Sequence, residues 1–304
     1  MMAGMDLPSP GYERIDLHTH SRCSDGALDA PELVALAALR GVQLLALTDH
    51  DTLEGCASAS RACAERNIEF LHGCELTASW RGREIHIVGL RLDPQDPTLH
   101  AHLAGVRAQR IERVRAIGER LGRAGAPGQE IADEVLARPG TPTRLHLAAA
   151  LVARGLAKDI DDAFKRWLGT GARAGVSVAF PPVAAALAAI RAAGGVAVLA
   201  HPQRYKLSGG GLKELCRAFR ELGGEGIEVS LPGLSPAAAA RAASLARRFD
   251  LAGSVGSDFH APGLAWRPVG RFAKLPEGVV PITERLGLSG PGTAATAPHA
   301  RSAT

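Results

Sequence analysis

Along the first hundred residues, short wholly apolar runs alternate with segments in which apolar side chains recur every three or four positions. This is the pattern of strands exchanging with amphipathic helices. The periodicity predicts strands over Arg14–Leu17, Leu44–Leu47 and Ile68–Leu71, the last leading into Gly73-Cys74-Glu75. Between them it predicts a helix over Ala30–Arg40, with Pro31 in the first turn and Gly41 as its stop, and another around Glu54–Arg66. A hairpin-like pair turns across Trp80-Arg-Gly-Arg83 into Glu84–Leu90. Strands that alternate with helices imply an α/β fold on a mainly parallel sheet.

From about Thr98 to Gly175 the strand pattern stops. His100–Arg123 is a long, arginine-rich amphipathic segment, and Gln129–Ala137, Thr143–Arg154 and Ile160–Leu168 read as shorter helices parted by Pro- and Gly-containing turns. Alternation then resumes with helices Val183–Ala193, Leu212–Leu222 and Ala237–Arg248 and strands Val196–Ala200, Gly226–Val229 and Leu251–Val255. The expected organisation is a barrel-like domain from 12–97 and 176–288, interrupted by a helical subdomain over 98–175. That insertion is expected to lie as a lid over the barrel mouth. The small, polar tail at 289–304 is expected to be disordered.

At 304 residues and 46% hydrophobic content, the chain can bury a large core. It has no run of eighteen apolar residues, and its first fifteen lack the apolar core of a secretory signal. A soluble cytoplasmic protein with no membrane partner is the expectation. Five cysteines without a C-x-x-C pair favour neither a disulfide framework nor a thiolate zinc site. The net charge of +4 is carried almost wholly by arginine, whose planar fork matches phosphate oxygens.

In parallel α/β folds the working residues collect at the carboxyl ends of strands. His18 and His20 end the first strand on one face, because side chains alternate along it; Asp25 follows in a Ser-Asp-Gly turn. His50 follows the second strand, Glu75 the third, and His86 lies within the fourth. His201 follows VAVLA, and Asp258 and His260 follow LAGSVGS. One such histidine would be an ordinary structural hydrogen bonder, but convergence from so many separate strands points to metal. Mixed nitrogen and oxygen donors suit manganese, zinc or iron, and a ligand set of this size calls for three divalent ions. Asp49 and Asp51, flanking His50, read as turn caps or as carboxylates that orient the imidazole.

The segments RIDLHTHSRCSDG (Arg14–Gly26), LTDHDT (Leu47–Thr52), GCEL, EIHIVG, AHPQRY and GSDFH resemble the successive motifs of the PHP (polymerase and histidinol phosphatase) family. The resemblance implies a distorted (β/α)7 barrel with an inserted helical subdomain and a di- or trinuclear metal centre. It is strongest to the stand-alone members that carry such an insertion, the nucleoside 3′,5′-bisphosphate phosphatases and the RNase AM exonucleases. Gly171-Ala-Arg-Ala-Gly-Val-Ser departs from the expected pattern. The implied first site comprises His18, His20, Glu75 and Asp258. Glu75 would bridge to a second site with His86 and His201, and Asp25, His50 and His260 would form a third.

The chemistry so implied is hydrolysis of a phosphate ester by a metal-bound hydroxide, with manganese the foremost metal and His201 a candidate general acid. With one phosphate at the metals, Arg144, His146, Lys165, Arg204 and Lys206 are the candidates to bind a second. The expected activity is removal of the 3′-phosphate from a nucleoside 3′,5′-bisphosphate, with short 5′-phosphorylated RNA as a further substrate. Alternatives are a histidinol-phosphate phosphatase, another PHP amidohydrolase, or a non-catalytic metal-binding module. With only two tyrosines and no aromatic–basic interleaving, a plain nucleic-acid binder is disfavoured and no DNA partner is expected.

Overall fold

The computed structural model describes residues 12–263 and 268–288. The expected disordered tail at 289–304 lies outside them. The chain runs β1 (Ile15–Asp16), α1 (Ala30–Leu39), β2 (Leu44–Leu47), α2 (Cys56–Ala64), β3 (Glu69–Trp80) and β4 (Arg83–Leu90). Helices α3 (Pro97–Arg123), α4 (Gly128–Ala137), α5 (Arg144–Ala153) and α6 (Ile160–Ala163) follow, the last running into a π-helical turn, Phe164–Leu168. The second half is α7 (Val183–Ala192), β5 (Val196–Leu199), α8 (Gly209–Glu221), β6 (Gly226–Ser230), α9 (Pro236–Arg248), β7 (Ala252–Val255) and α10 (Ile282–Arg285).

The seven strands lie in chain order, and the sheet curls until its ends nearly meet. Thr19 bridges Phe259, and the Leu17 N–H donates to the Val255 carbonyl at 3.2 Å. The result is a nearly closed barrel whose inward side chains form one core face and whose helices cover the other. β1–β2, β2–β3, β5–β6 and β6–β7 pair in parallel. β4 runs against both neighbours, Trp80 opposing Arg83 and Ile87 opposing Leu199. That reversal is the main departure from a parallel sheet. Because β4 points the other way, the rim where its neighbours end is reached at its amino half, which is where His86 sits.

Local chemistry sets the element ends. Glu32 accepts the N–H of Asp29 at 2.8 Å ahead of α1, and Asp96 accepts that of Leu99 at 2.7 Å to start α3, with Pro97 in the first turn. The buried stripe of α3 follows helical spacing: Leu99, Leu103, Val106, Arg110, Arg113, Val114, Ile117 and Leu121. Its first turns join the barrel core through Leu99 and Leu103. From Val114 onward it belongs to a separate apolar cluster with Ile131, Leu147, Leu151 and Trp167. The helical stretch thus has its own core while its leading helix is anchored on the barrel. Among the described residues, no helix is long and apolar enough to cross a membrane.

Candidate metal centre

The loops after β1, β2, β5 and β7, together with the interiors of β3 and β4, bring all nine sequence-predicted ligands to one rim. His18, His20, Glu75 and Asp258 are at most 2% exposed. Glu75 is central. Its Oε1 lies 2.9 Å from both His86 Nδ1 and His201 Nε2, and its Oε2 lies 3.2–3.3 Å from His18 Nε2, His20 Nε2 and His50 Nδ1. Asp258 Oδ1 is 3.3 Å from His20 Nε2 and 3.6 Å from His18 Nε2. On the far side, Asp25 faces His260 at 3.3 Å and His50 at 3.8 Å.

Close approach of backbones makes this convergence possible. A methyl at Gly256 would meet the Cβ of His18, and one at Gly26 would meet the carbonyl of His20. Backbone strain gathers here as well: Asp51 (φ 49°), His201 (φ 28°) and Asp258 (φ 49°) are non-glycine residues in left-handed conformations.

Carboxylates behind the imidazoles hold them in place. Glu228, inside β6, sets its Oε1 2.7 Å from His18 Nδ1 and accepts the backbone N–H of His201 with its other oxygen. Glu84 lies 3.3 Å from His86 Nε2. Asp49 accepts the N–H and hydroxyl of Ser21 and the hydroxyl of Ser24, clamping the loop that carries His20 and Asp25. Asp16 accepts the N–H groups of Ser257 and Gly270, and burial above all raises its carboxyl to about 6.

Burial disfavours charge throughout, yet the three carboxylates among the candidate ligands overcome it. Burial would lift Glu75, Asp25 and Asp258, but the surrounding imidazoles, with Arg204 beside Asp258, hold all three well below the carboxylate range. Against burial, Glu228, Glu75 and Asp258 hold His18 well above the usual value, and Asp258 and Glu75 raise His20 to about 10. For His50 and His201 burial prevails and the imidazoles are pushed down. The centre is an ionised acidic nest that attracts cations, for which protons and divalent ions compete.

The donor set fits divalent metal. Ligand atoms lie within 4.8 Å of one another in three groups: His20-Asp25-His50-His260, His18-His20-Glu75 and His50-Glu75-His86. His20 Nδ1, Asp25 Oδ1, His50 Nδ1, Glu75 Oε2 and His201 Nδ1 are buried without a hydrogen-bond partner, an arrangement that costs free energy unless a cation satisfies them. These groups share His20 and His50 as well as Glu75, so the division among sites is less clean than the family pattern implies.

Beside the cluster lies a cleft of about 550 Å³ whose lining includes Glu84, Arg113, Arg144, Arg204, Tyr205 and Lys206. Arg204 pairs with Asp258, so cleft and cluster are contiguous. Arg144 donates to Glu84 at 3.2 Å. His146 and Lys165 do not line the cleft. His146 Nδ1 accepts the Thr143 N–H at 3.2 Å at the start of α5, and Lys165 is exposed on the π-helical turn while Trp167 and Leu168 fill the core.

Sequence reasoning missed Glu228, Glu84 and the buried Arg110 and Arg113. A lone carboxylate inside the apolar strand GIEVS was the available signal for the first. Arginines in register with Val106, Val114 and Ile117 were the signal for the last two. Asp49 and Asp51 orient loops, the reading that their turn positions favoured.

A seven-stranded barrel presenting imidazoles and carboxylates at one rim defines a metal-dependent phosphoesterase, and residues 16–125 match the PHP domain; the chain belongs to the PHP family. Among its relatives, a 5′-3′ exoribonuclease of Haemophilus influenzae is 41% identical over 274 residues, covering 90% of this chain and 99% of that one. A 3′,5′-nucleoside bisphosphate phosphatase of Chromobacterium violaceum is 42% identical over 273 residues, covering 90% and 96%. A solved structure of an amidohydrolase from Chromobacterium violaceum, with bound sulfate and no metal, superposes with a TM-score of 0.85 at 41% identity over 90% of this chain and 96% of that one.

Proposed function

We propose that the protein removes the 3′-phosphate of nucleoside 3′,5′-bisphosphates, converting adenosine 3′,5′-bisphosphate to AMP and phosphate, and that short 5′-phosphorylated RNA is a second substrate of the same site. The observation that carries this reading is the junction of a buried anionic nest with a cationic cleft. The nest suits the cations that a phosphoryl group needs around it, and the cleft suits a second phosphate on the same molecule.

His18, His20, Asp25, His50, Glu75, His86, His201, Asp258 and His260 would hold about three divalent ions, with manganese foremost, since nitrogen and oxygen donors without thiolate suit it. When bound, such ions lower the pKa of water and neutralise phosphoryl oxygens. The chain's own residues do the rest. Glu75, with two oxygens aimed at different imidazole groups, sets the spacing of the sites. Glu228 fixes which nitrogen of His18 faces inward. His201, whose Nε2 lies 2.9 Å from Glu75 Oε1, could serve as the acid for the leaving oxygen only as an imidazolium freed from a cation, and burial, which pushes its pKa down, favours the ligand role instead. Arg144, Arg204 and Lys206 grip the phosphate that stays, and the insertion above them acts as a lid that excludes water. Free thiols, including four buried ones, and a nucleotide substrate fit a cytoplasmic site of action.

The test is phosphate release from adenosine 3′,5′-bisphosphate and from 3′-AMP, in manganese, by wild type and Arg204→Ala. A charge-assisted contact to phosphate contributes about 1.5–3 kcal/mol, so the bisphosphate should be favoured about ten- to a hundredfold in kcat/KM and Arg204→Ala should remove much of that preference. Equal rates on the two substrates would refute the two-phosphate reading. Equal losses on both would make Arg204 a support for Asp258 alone.

A further inference from the structure

Helix α3 carries two arginines on its buried stripe, and one of them reaches the ligand loops directly. Arg110 Nε donates to Asp51 Oδ2 at 2.7 Å and its Nη2 donates to Thr77 Oγ1 at 2.7 Å. The side chains of the ion pair are 6% and 0% exposed. Asp51 is held from below as well, accepting the Thr77 N–H at 2.7 Å and the Thr77 hydroxyl at 2.8 Å. Its own N–H donates to the Glu75 carbonyl at 3.1 Å.

Asp51 follows His50 directly, in a left-handed conformation (φ 49°), and His50 pairs with Glu75 in a parallel bridge. One guanidinium from the insertion therefore closes a network whose backbone carries two of the candidate ligands. A buried ion pair adds little net stability, because desolvation offsets the attraction; a fully satisfied network of this kind mainly fixes orientation. A left-handed aspartate persists only where its surroundings over-determine it, and here Arg110 and Thr77 do so.

We infer that Arg110 is a positioning residue for His50 and Glu75, so that docking of the helical insertion sets the cation groups containing His50. The inference rests on the reading of the cluster as a metal centre. Two groups contain His50, while His18-His20-Glu75 does not. The N–H of Glu75 remains bonded to Thr48 and Asp49 whatever happens at Arg110. Loss of Arg110 should thus loosen part of the cluster and leave the His18 group formed.

The experiment uses the full chain as wild type, Arg110→Ala, Arg110→Lys and, as control, Arg115→Ala, whose exposed side chain pairs with Glu112 on the same helix. Mn²⁺ is titrated against a competing chelator dye, and kcat and KM are measured separately. Lysine keeps the charge but cannot span Asp51 and Thr77 as the fork does. Arg110→Lys should bind the weaker-held ions about 10- to 100-fold less tightly, lower kcat in step, leave KM within about twofold, and keep one tight site. Arg115→Ala should match wild type. Should Arg110→Ala fail to fold, Arg110→Lys carries the test alone. Wild-type Mn²⁺ binding and kcat in Arg110→Lys would overturn the inference, as would uniform loss of all ions with a collapsed melting transition. A wild-type chain that binds no Mn²⁺ would instead refute the metal reading itself.

Discussion

Glu228→Gln isolates the carboxylate behind His18. The substitution preserves volume inside a fully buried strand, so packing is untouched and only charge and hydrogen bonding change. Glu228 Oε1 lies 2.7 Å from His18 Nδ1 and its other oxygen accepts the His201 N–H. A glutamine can satisfy one of these donors with its single oxygen but turns an amide N–H toward the other, a donor against a donor. Loss of a carboxylate that orients a metal-ligating histidine typically costs 10–100-fold in affinity or activity, about 1.4–2.8 kcal/mol. The assay is Mn²⁺ titration of metal-stripped protein followed by kcat on adenosine 3′,5′-bisphosphate. Both should fall by that factor, while the unpaired donor lowers the melting temperature in chelator by only a few degrees, about 1–3 kcal/mol, and leaves a cooperative transition. Affinity and kcat within twofold of wild type would show that Glu228 does not orient His18 for a cation.

Glu75→Ala should lower bound Mn²⁺ by more than one ion per chain, since Glu75 belongs to two of the three ligand groups; loss of a single ion by mass spectrometry of reconstituted protein would deny it the bridging role. Gly256→Ala should destabilise by about 1–3 kcal/mol in a denaturant melt and depress activity, because its methyl meets His18; a neutral result would place the loop further from β1. Stripping divalent ions should lower the melting temperature by roughly 4–5 °C for each site held at a 100-fold excess of free metal over Kd, about 2.7 kcal/mol, and readdition of Mn²⁺ should restore it in calorimetry.

The barrel was legible because its strands are short apolar runs bracketed by turn residues, and Leu44–Leu47 keeps its predicted bounds. β3 was not. It runs on through Glu75 to Trp80, since Cys74, Leu76 and Ala78 bury one face while Glu75 and Thr77 turn to the other, and polar residues at a functional rim read as a strand end. Nine ligand candidates were readable because histidines and carboxylates after strands have few bland reasons to cluster. The carboxylates and arginines behind them were not, because Glu228 sits in an apolar strand and Arg110 in an arginine-rich helix whose charges read as a solvated face. Only the fold reveals that Arg110 points inward to Asp51. Likewise, the resemblance that suggested Lys165 as a clamp carried no sign of the π-helical turn on which its side chain is exposed.

The most direct measurement is the number of Mn²⁺ ions retained per chain after reconstitution and gel filtration, read by inductively coupled plasma mass spectrometry. Three overlapping groups of candidate ligands that meet at His20, His50 and Glu75 predict about three ions, and in any case more than one. One ion or fewer per chain would contradict the multinuclear centre on which the proposed hydrolysis depends.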